Sequence, residues 1–235
     1  MFNWMMMGLP AGLLVIVLWH TNADAQQEVW ERHIRASGAA YQRGRFEEAI
    51  SHGEAALEAA KNLDRDGIRV AETLIIVADI YKNQRRFGEA EPLYEKALAI
   101  EEELLGPEHP DLADKFGNLA ELNRNQGNYA QAEQFYKRAL KIDQKALGQA
   151  HPHVALGLHN LALFYQSQSN HSEAEALFKQ SLAIWEQALG SGHPILAKGL
   201  ENYAALLRQS GQPEAAEKAE TRANEIRLDY VGHPR

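Results

Sequence analysis

The residues best suited to chemistry in this sequence are its ten histidines, three of which follow a regular pattern. Each of the three precedes a proline, and successive members are 42 residues apart: His109-Pro110, His151-Pro152 and His193-Pro194. Zinc ligands must all lie about 2 Å from one ion, whereas packed helices lie about 8–10 Å apart. Equivalent histidines of successive repeats cannot share an ion. We interpret them as residues that begin helices, because proline suits the first helical position.

The sequence also lacks the other common arrangements of catalytic residues. The chain has no cysteine, which excludes disulfides, thiol nucleophiles and cysteine-bound metals. Ser191 lies in the sequence Leu189-Gly190-Ser191-Gly192, which lacks the second glycine of the G-x-S-x-G nucleophile turn. Glycine-rich phosphate loops are absent from the sequence. We therefore predict a protein that is not an enzyme and uses no cofactor, with a hydrolase as a remote alternative.

The charge of the chain narrows the class of partner. Lys and Arg number 24 against 32 Asp and Glu, a formal net charge of −8. An acidic chain is poorly suited to nucleic acid or to anionic lipid. Charged residues at 24% and hydrophobic residues at 45% are ordinary for a globular protein. We expect a protein or peptide partner, no nucleic acid, and no membrane contact once the N-terminal segment is removed.

The N-terminus differs in composition from the rest. Residues 8–19 are uncharged and mostly apolar, and Ala23 and Ala25 follow in the small-x-small pattern of a signal peptidase site. A run of about twelve residues is shorter than the roughly 20 that span a bilayer. We predict that residues 1–25 are a signal peptide and that the protein is exported, periplasmic or secreted. If residues 2–19 act as one segment, an uncleaved membrane anchor is the alternative.

The rest of the chain repeats every 42 residues. Residues 109–150 and 151–192 align without gaps and share 16 identities in 42 positions. Removing residues 1–25 leaves 210 residues, which is five times 42. Each unit has two apolar stripes at helical spacing, separated by a turn such as Gly127-Asn128. The predicted repeats are residues 26–66, 67–108, 109–150, 151–192 and 193–234.

The repeats resemble a known family. Residues 118–140 and 160–182 resemble the tetratricopeptide repeat, and the 42-residue spacing with its His-Pro opening is similar to the kinesin light chain subtype. The family's small and aromatic positions fall in the third unit on Ala120, Tyr129, Ala132, Tyr136 and Ala139. The resemblance implies an all-α solenoid of about five helix-turn-helix repeats forming a right-handed superhelix, with the first helices lining a concave groove.

The free face of each first helix follows from the helical wheel. With the apolar stripe of residues 112–120 turned inward, Asn118 and Arg124 lie on the opposite arc, as do Leu156 and Leu163 one unit later. Two columns recur on this arc at the 42-residue interval, and we predict that they form a partner-binding groove: Asn118, Asn160 and Asn202 in one, and Lys82, Arg124, Gln166 and Arg208 in the other.

The residue types in these two columns suggest what kind of ligand would bind. Asparagine donates and accepts hydrogen bonds, so a ladder of asparagines can bind a peptide main chain, and related kinesin light chain proteins use such residues in this way. The basic column suggests an acidic, extended peptide. We therefore expect a monomeric interaction module that acts as an adaptor, scaffold or assembly factor. The alternative is a structural array that associates with its own copies.

The end of the array differs from its middle. In the fifth unit, Glu220 and Asn224 occupy the positions of Phe178 and Leu182 in the fourth. A polar outer face suits a terminal helix that no further repeat covers. We therefore predict that the last helix closes the array.

Overall fold

The computed structural model describes residues 11–63 and 67–232, with side chains described from residue 24 to 63 and from 67 to 230. These residues form ten helices and no strand, as the all-α prediction requires. In chain order the helices are α1 (Ala11–Gln42), α2 (Phe46–Leu63), α3 (Ile68–Asn83), α4 (Phe87–Leu105), α5 (Leu112–Gln126), α6 (Tyr129–Leu147), α7 (Pro152–Ser167), α8 (His171–Leu189), α9 (Pro194–Gln209) and α10 (Pro213–Gly232).

The described helices pack as hairpins, in which α1 pairs with α2, α3 with α4, α5 with α6, α7 with α8, and α9 with α10. They divide into two compact units, α1–α4 within residues 1–106 and α5–α10 within residues 107–235. The 42-residue period governs the helix ends, because α4, α6 and α8 begin and end at positions one full period apart. The prediction of helical hairpins is confirmed.

The periodic alanines lie fully buried between packed helices. The first helices contribute Ala78, Ala120, Ala162 and Ala204, and the second helices contribute Ala90, Ala132, Ala174 and Ala216, all 0% exposed. Larger side chains at these positions would force the helices apart, since protein interiors are close-packed. Around them the buried leucines and aromatics, such as Phe116, Leu119 and Phe178, form the core.

The three His-Pro pairs begin helices in two ways. The Nδ1 atoms of His151 and His193 accept hydrogen bonds from the main-chain N–H two residues later, at 3.2 and 3.3 Å, and the following proline opens the helix. His109 makes the same contact with the N–H of Asp111 at 3.3 Å, but α5 begins only at Leu112. Here Pro110 and Asp111 form a turn before the helix, with the N–H of Ala113 donating to the carbonyl of Pro110 at 3.0 Å. All three histidines thus support helix starts.

The glycines after the second helices adopt a conformation that other residues rarely reach. Gly106, Gly148 and Gly190 have φ of 88°, 84° and 87° with ψ of 154°, 158° and 157°. This is an extended conformation with positive φ, not the left-handed helical one, and it is accessible almost only to glycine. The Leu-Gly pairs of the sequence therefore mark sharp exits from α4, α6 and α8.

The last helix buries one face and exposes the other. Ala216, Ala219, Ala223 and Ile226 are buried against the preceding helices. Asn224 is exposed, and Glu220 is only partly covered. This arrangement agrees with a helix that closes the array.

At the other end, α1 runs through Ala25 without interruption. Residues 1–10 of the predicted signal peptide lie outside the described residues. Among the helices that the structure describes, none combines the length and the apolar character needed to cross a membrane.

Candidate peptide-binding groove

A cavity of about 500 Å³ opens between α5, α6 and α7, all within the unit of α5–α10. It contains three of the predicted groove residues, Asn118, Arg124 and Asn160, together with both predicted apolar anchors, Leu156 and Leu163. We call it the groove cavity. Its remaining lining residues are Ala113, Asp114, Gly117, Glu121, Tyr136, Ala139, Asp143, His153 and Gly157.

The core fixes the two asparagines on this surface. Each precedes a buried leucine, Leu119 at 0% and Leu161 at 4% exposure. Since neighbouring residues of a helix point about 100° apart, burying the leucine turns the asparagine toward the cavity. Both asparagines are partly exposed there.

Two glycines shape the cavity. A Cβ at Gly117 would meet no other atom within 4 Å, so this part of α5 borders open space. A Cβ at Gly157 would lie 3.2 Å from Cδ1 of Leu140, so α7 approaches α6 closely at this point. The cavity is therefore open beside Gly117 and closed behind Gly157.

The apolar part of the lining is partly accessible. Leu156 is 38% exposed, and Leu163 is partly covered. Their place beside the asparagines gives the groove cavity a mixed character, with amides and apolar surface side by side, as small binding sites commonly have.

The charges of the cavity are mostly negative. Asp114 and Glu121 come from α5 and Asp143 from α6, whereas Arg124 supplies one guanidinium. His153 lies between two of these carboxylates: its Nδ1 is 3.0 Å from Oδ2 of Asp143, and its Nε2 is 3.5 Å from Oδ1 of Asp114. Burial raises the pKa of Asp143, and His153 opposes that shift.

Asn202 occupies the same column as Asn160 but has a structural contact. Its Nδ2 lies 2.9 Å from Nε2 of His159. His159 is 5% exposed and packs against the rings of Phe178 and Trp185 at centroid distances of 5.0 and 5.2 Å. Burial, with a smaller effect of Lys198, lowers the pKa of His159 to about 4.

Most residues of the basic column contact polar or charged side chains of their own unit. Arg208 forms a two-point ion pair with Glu220, with nitrogen–oxygen distances of 3.0 and 2.6 Å. Lys82, in the unit of α1–α4, lies 3.2 Å from Oδ1 of Asp79. Gln166 donates to Gln209 at 3.0 Å. The structure thus brings Asn118, Asn160 and Arg124 together in the groove cavity, and the other four predicted residues do not line it.

Sequence reasoning missed Asp143 and His153. Asp143 occupies the position of Trp185 in the next repeat, on the inward stripe of its helix. The sequence did contain a sign of this role, because the next repeat has tryptophan where this one has a carboxylate. Acidic residues are almost never buried unless they are paired.

The unit of α1–α4 has a smaller cavity of about 270 Å³ between its first helices, α1 and α3. Its lining includes Tyr41, Ile76 and Asn83. Ile76 stands there in the column that asparagine occupies in later repeats, so this cavity has no amide at that position of the repeat.

Comparisons with known proteins agree with this architecture. The tetratricopeptide repeat matches residues 34–100, 69–145 and 153–229. BtubC (BKLC) from P. vanneervenii has a similar structure, with a TM-score of 0.77 and 24% identity over 92% of this chain and 94% of that one. A putative kinesin light chain with nearly identical TPR-like repeats, from Podosopora anserina, gives a TM-score of 0.72 and 24% identity over 91% and 99% of the two chains.

MamA is more distant, with a TM-score of 0.62 and 16% identity over 89% of this chain and 97% of that one. At these identities the likeness concerns the fold alone. No curated protein matches this chain in sequence. The repeat match covers most of the chain, from α1 to α10, and the helical hairpins follow its period. The chain therefore belongs to the tetratricopeptide repeat family.

Proposed function

We propose that the protein is an interaction module, an adaptor or assembly factor, that binds an extended segment of a partner protein in the groove cavity. The observation that carries the proposal is that Asn118 and Asn160, one 42-residue period apart, both line a single open cavity. Their side chains offer donors and acceptors that match a peptide main chain.

The spacing supports an extended ligand. Asn118 lies on α5 and Asn160 on α7, two helices that line the same cavity. A ligand that reaches both asparagines must therefore extend over several residues, since an extended chain advances about 3.3 Å per residue. The leucines beside them would cover an apolar side chain of the same segment.

The structure changes the charge expected of the ligand. The expectation of an acidic peptide rested on Lys82, Arg124 and Arg208, but Lys82 and Arg208 lie beside carboxylates of their own units. Arg124 shares its cavity with three carboxylates. The proposal therefore does not include an acidic ligand.

The energetics predict weak binding. Two amides contribute about 0.5–1.5 kcal/mol net each, and burying one leucine-sized side chain adds about 1.5–3 kcal/mol. Micromolar affinity requires about 8 kcal/mol. We expect affinities weaker than micromolar for short segments, which suits an adaptor that makes additional contacts to a folded partner.

The test uses a phage-displayed library of random dodecapeptides, selected on the full chain. Replacing Asn118 and Asn160 together with alanine should weaken binding of the selected peptides by about 1–3 kcal/mol, or roughly 5- to 150-fold. Asn125→Ala is the matched control, because Asn125 is exposed on α5 and does not line the cavity. If the double variant binds the selected peptides as tightly as the control, the groove cavity is not the site.

A further inference from the structure

The groove cavity contains an incompletely compensated negative charge, and this points to the side chain that it receives. Asp143 is only 6% exposed. Its Oδ2 contacts His153, and its side chain lines the groove cavity. Burying a carboxylate costs stability, and the raised pKa of Asp143 reflects that cost.

The position of Asp143 is not required by the fold. The next repeat has Trp185 there, buried with its Nε1 donating to the carbonyl of Pro152 at 3.1 Å. An apolar or aromatic residue thus fits this position of the repeat. The carboxylate instead borders a cavity of about 500 Å³.

The surroundings favour a cation. Asp114 lies on the opposite side of the His153 ring, and Glu121 stands one helical turn from Arg124 on α5. Three carboxylates therefore face one guanidinium and one imidazole in the same cavity. A second positive group would balance them and could form a charge-assisted hydrogen bond with Asp143.

We infer that the groove cavity receives a lysine or arginine side chain of the bound segment, with its charged end beside His153 and within reach of the carboxylates of Asp143 and Asp114. This inference rests on the proposed function and specifies its ligand. The aliphatic stem of such a side chain packs against Leu156 and Ala139, while its head reaches the carboxylates. The main chain of the segment lies across Asn118 and Asn160.

The same dodecapeptide selection tests the inference. Selected peptides should be enriched in lysine or arginine at one fixed position, and replacing that residue with norleucine should weaken binding at least about tenfold. Asp143→Asn and Asp114→Asn should each weaken binding of the basic peptides and leave the norleucine peptides nearly unaffected. Glu173→Gln, an exposed carboxylate on α8, is the matched control.

Loss of folding is separated from loss of binding by measuring stability. Asp143→Asn removes a buried charge, so its free energy of unfolding at pH 8 should equal or exceed that of the original protein. Asp114 is exposed, so its variant provides a second test that does not depend on the core.

The outcomes distinguish the inference from the function on which it rests. Peptides that need Asn118 and Asn160 but show no basic preference, and that bind Asp143→Asn normally, would overturn the inference and keep the proposed function. A selection that yields no peptides dependent on the two asparagines would overturn both.

Discussion

Asn160 and Asn202 show how one neighbouring residue decides what a groove asparagine does. Asn202 contacts His159, which lies 43 positions earlier in the chain. The residue 43 positions before Asn160 is Gly117, which has no side chain to occupy the amide. No described residue makes a hydrogen bond to the Asn160 side chain. Identical residues in one column thus serve the core in one repeat and face the cavity in another.

His159 should make the fold sensitive to acid. Its pKa falls from 6.5 to about 4 on folding, because it is buried. Between these values the unfolded chain binds a proton that the folded chain does not, so stability is complete above pH 6.5 and decreases as the pH falls toward 4. From pH 6.5 to 5 the loss should be about 1–2 kcal/mol.

Denaturant titrations at pH 6.5 and pH 5 measure this effect. His159→Gln keeps a polar partner for Asn202 but does not titrate, so its stability should decrease by about 1–2 kcal/mol less over the same range. Equal pH dependence in the two proteins would show that His159 is not the responsible group.

At this scale the sequence predicted part of the site. The helical wheel placed Asn118, Asn160, Leu156 and Leu163 on the exposed arc, and all four line the groove cavity. It could not place Asp143, because that residue comes from the second helix and reaches the cavity only through the packing of α6 against α5 and α7. It also could not foresee the pairing of Arg208 with Glu220, which depends on the angle between α9 and α10.

At the scale of helices, the 42-residue period carried most of the information. It predicted the helical hairpins and the histidines at helix starts. It did not predict the late start of α5, since the turn after His109 depends on hydrogen bonds that the repeated residues alone do not specify. It also missed the backbone conformation of the Leu-Gly exits.

The exit from α6 gives a direct test at this scale. Gly148→Ala should destabilise the protein by about 1–3 kcal/mol, because alanine cannot easily adopt φ of 84° with ψ of 158°. Gly192→Ala is the matched control: it lies in the exit after α8, a Cβ added there would meet no atom within 4 Å, and its φ is outside the positive region. It should leave stability unchanged or slightly increased. Equal effects of the two substitutions would contradict this account of the exit.

At the scale of the whole molecule, net charge and the basic column gave conflicting indications about the site. The chain carries −8 overall, and its predicted basic column suggested a local exception. In the structure the groove cavity instead shares the acidic character of the chain. The physical reason is that Lys82 and Arg208 lie beside carboxylates of their own units. From the sequence alone, both cations appeared available to a ligand.

Export also belongs to the whole molecule and remains a prediction. Protein made in a secreting host should begin at Gln26, because Ala23 and Ala25 fit the peptidase site. Cleavage there leaves the packed part of α1 intact: Trp30, further along, donates to Oγ1 of Thr73 at 2.9 Å. N-terminal sequencing measures this directly, and an intact Met1 on membrane-bound protein would show an anchor instead.

The most direct test of the central claim is a crystal structure of the protein with one selected dodecapeptide. We expect the peptide main chain to lie between α5 and α7, hydrogen-bonded to the side chains of Asn118 and Asn160, with its basic residue beside Asp143. A peptide bound on the outer surface of the second helices, with the groove cavity unoccupied, would contradict the claim.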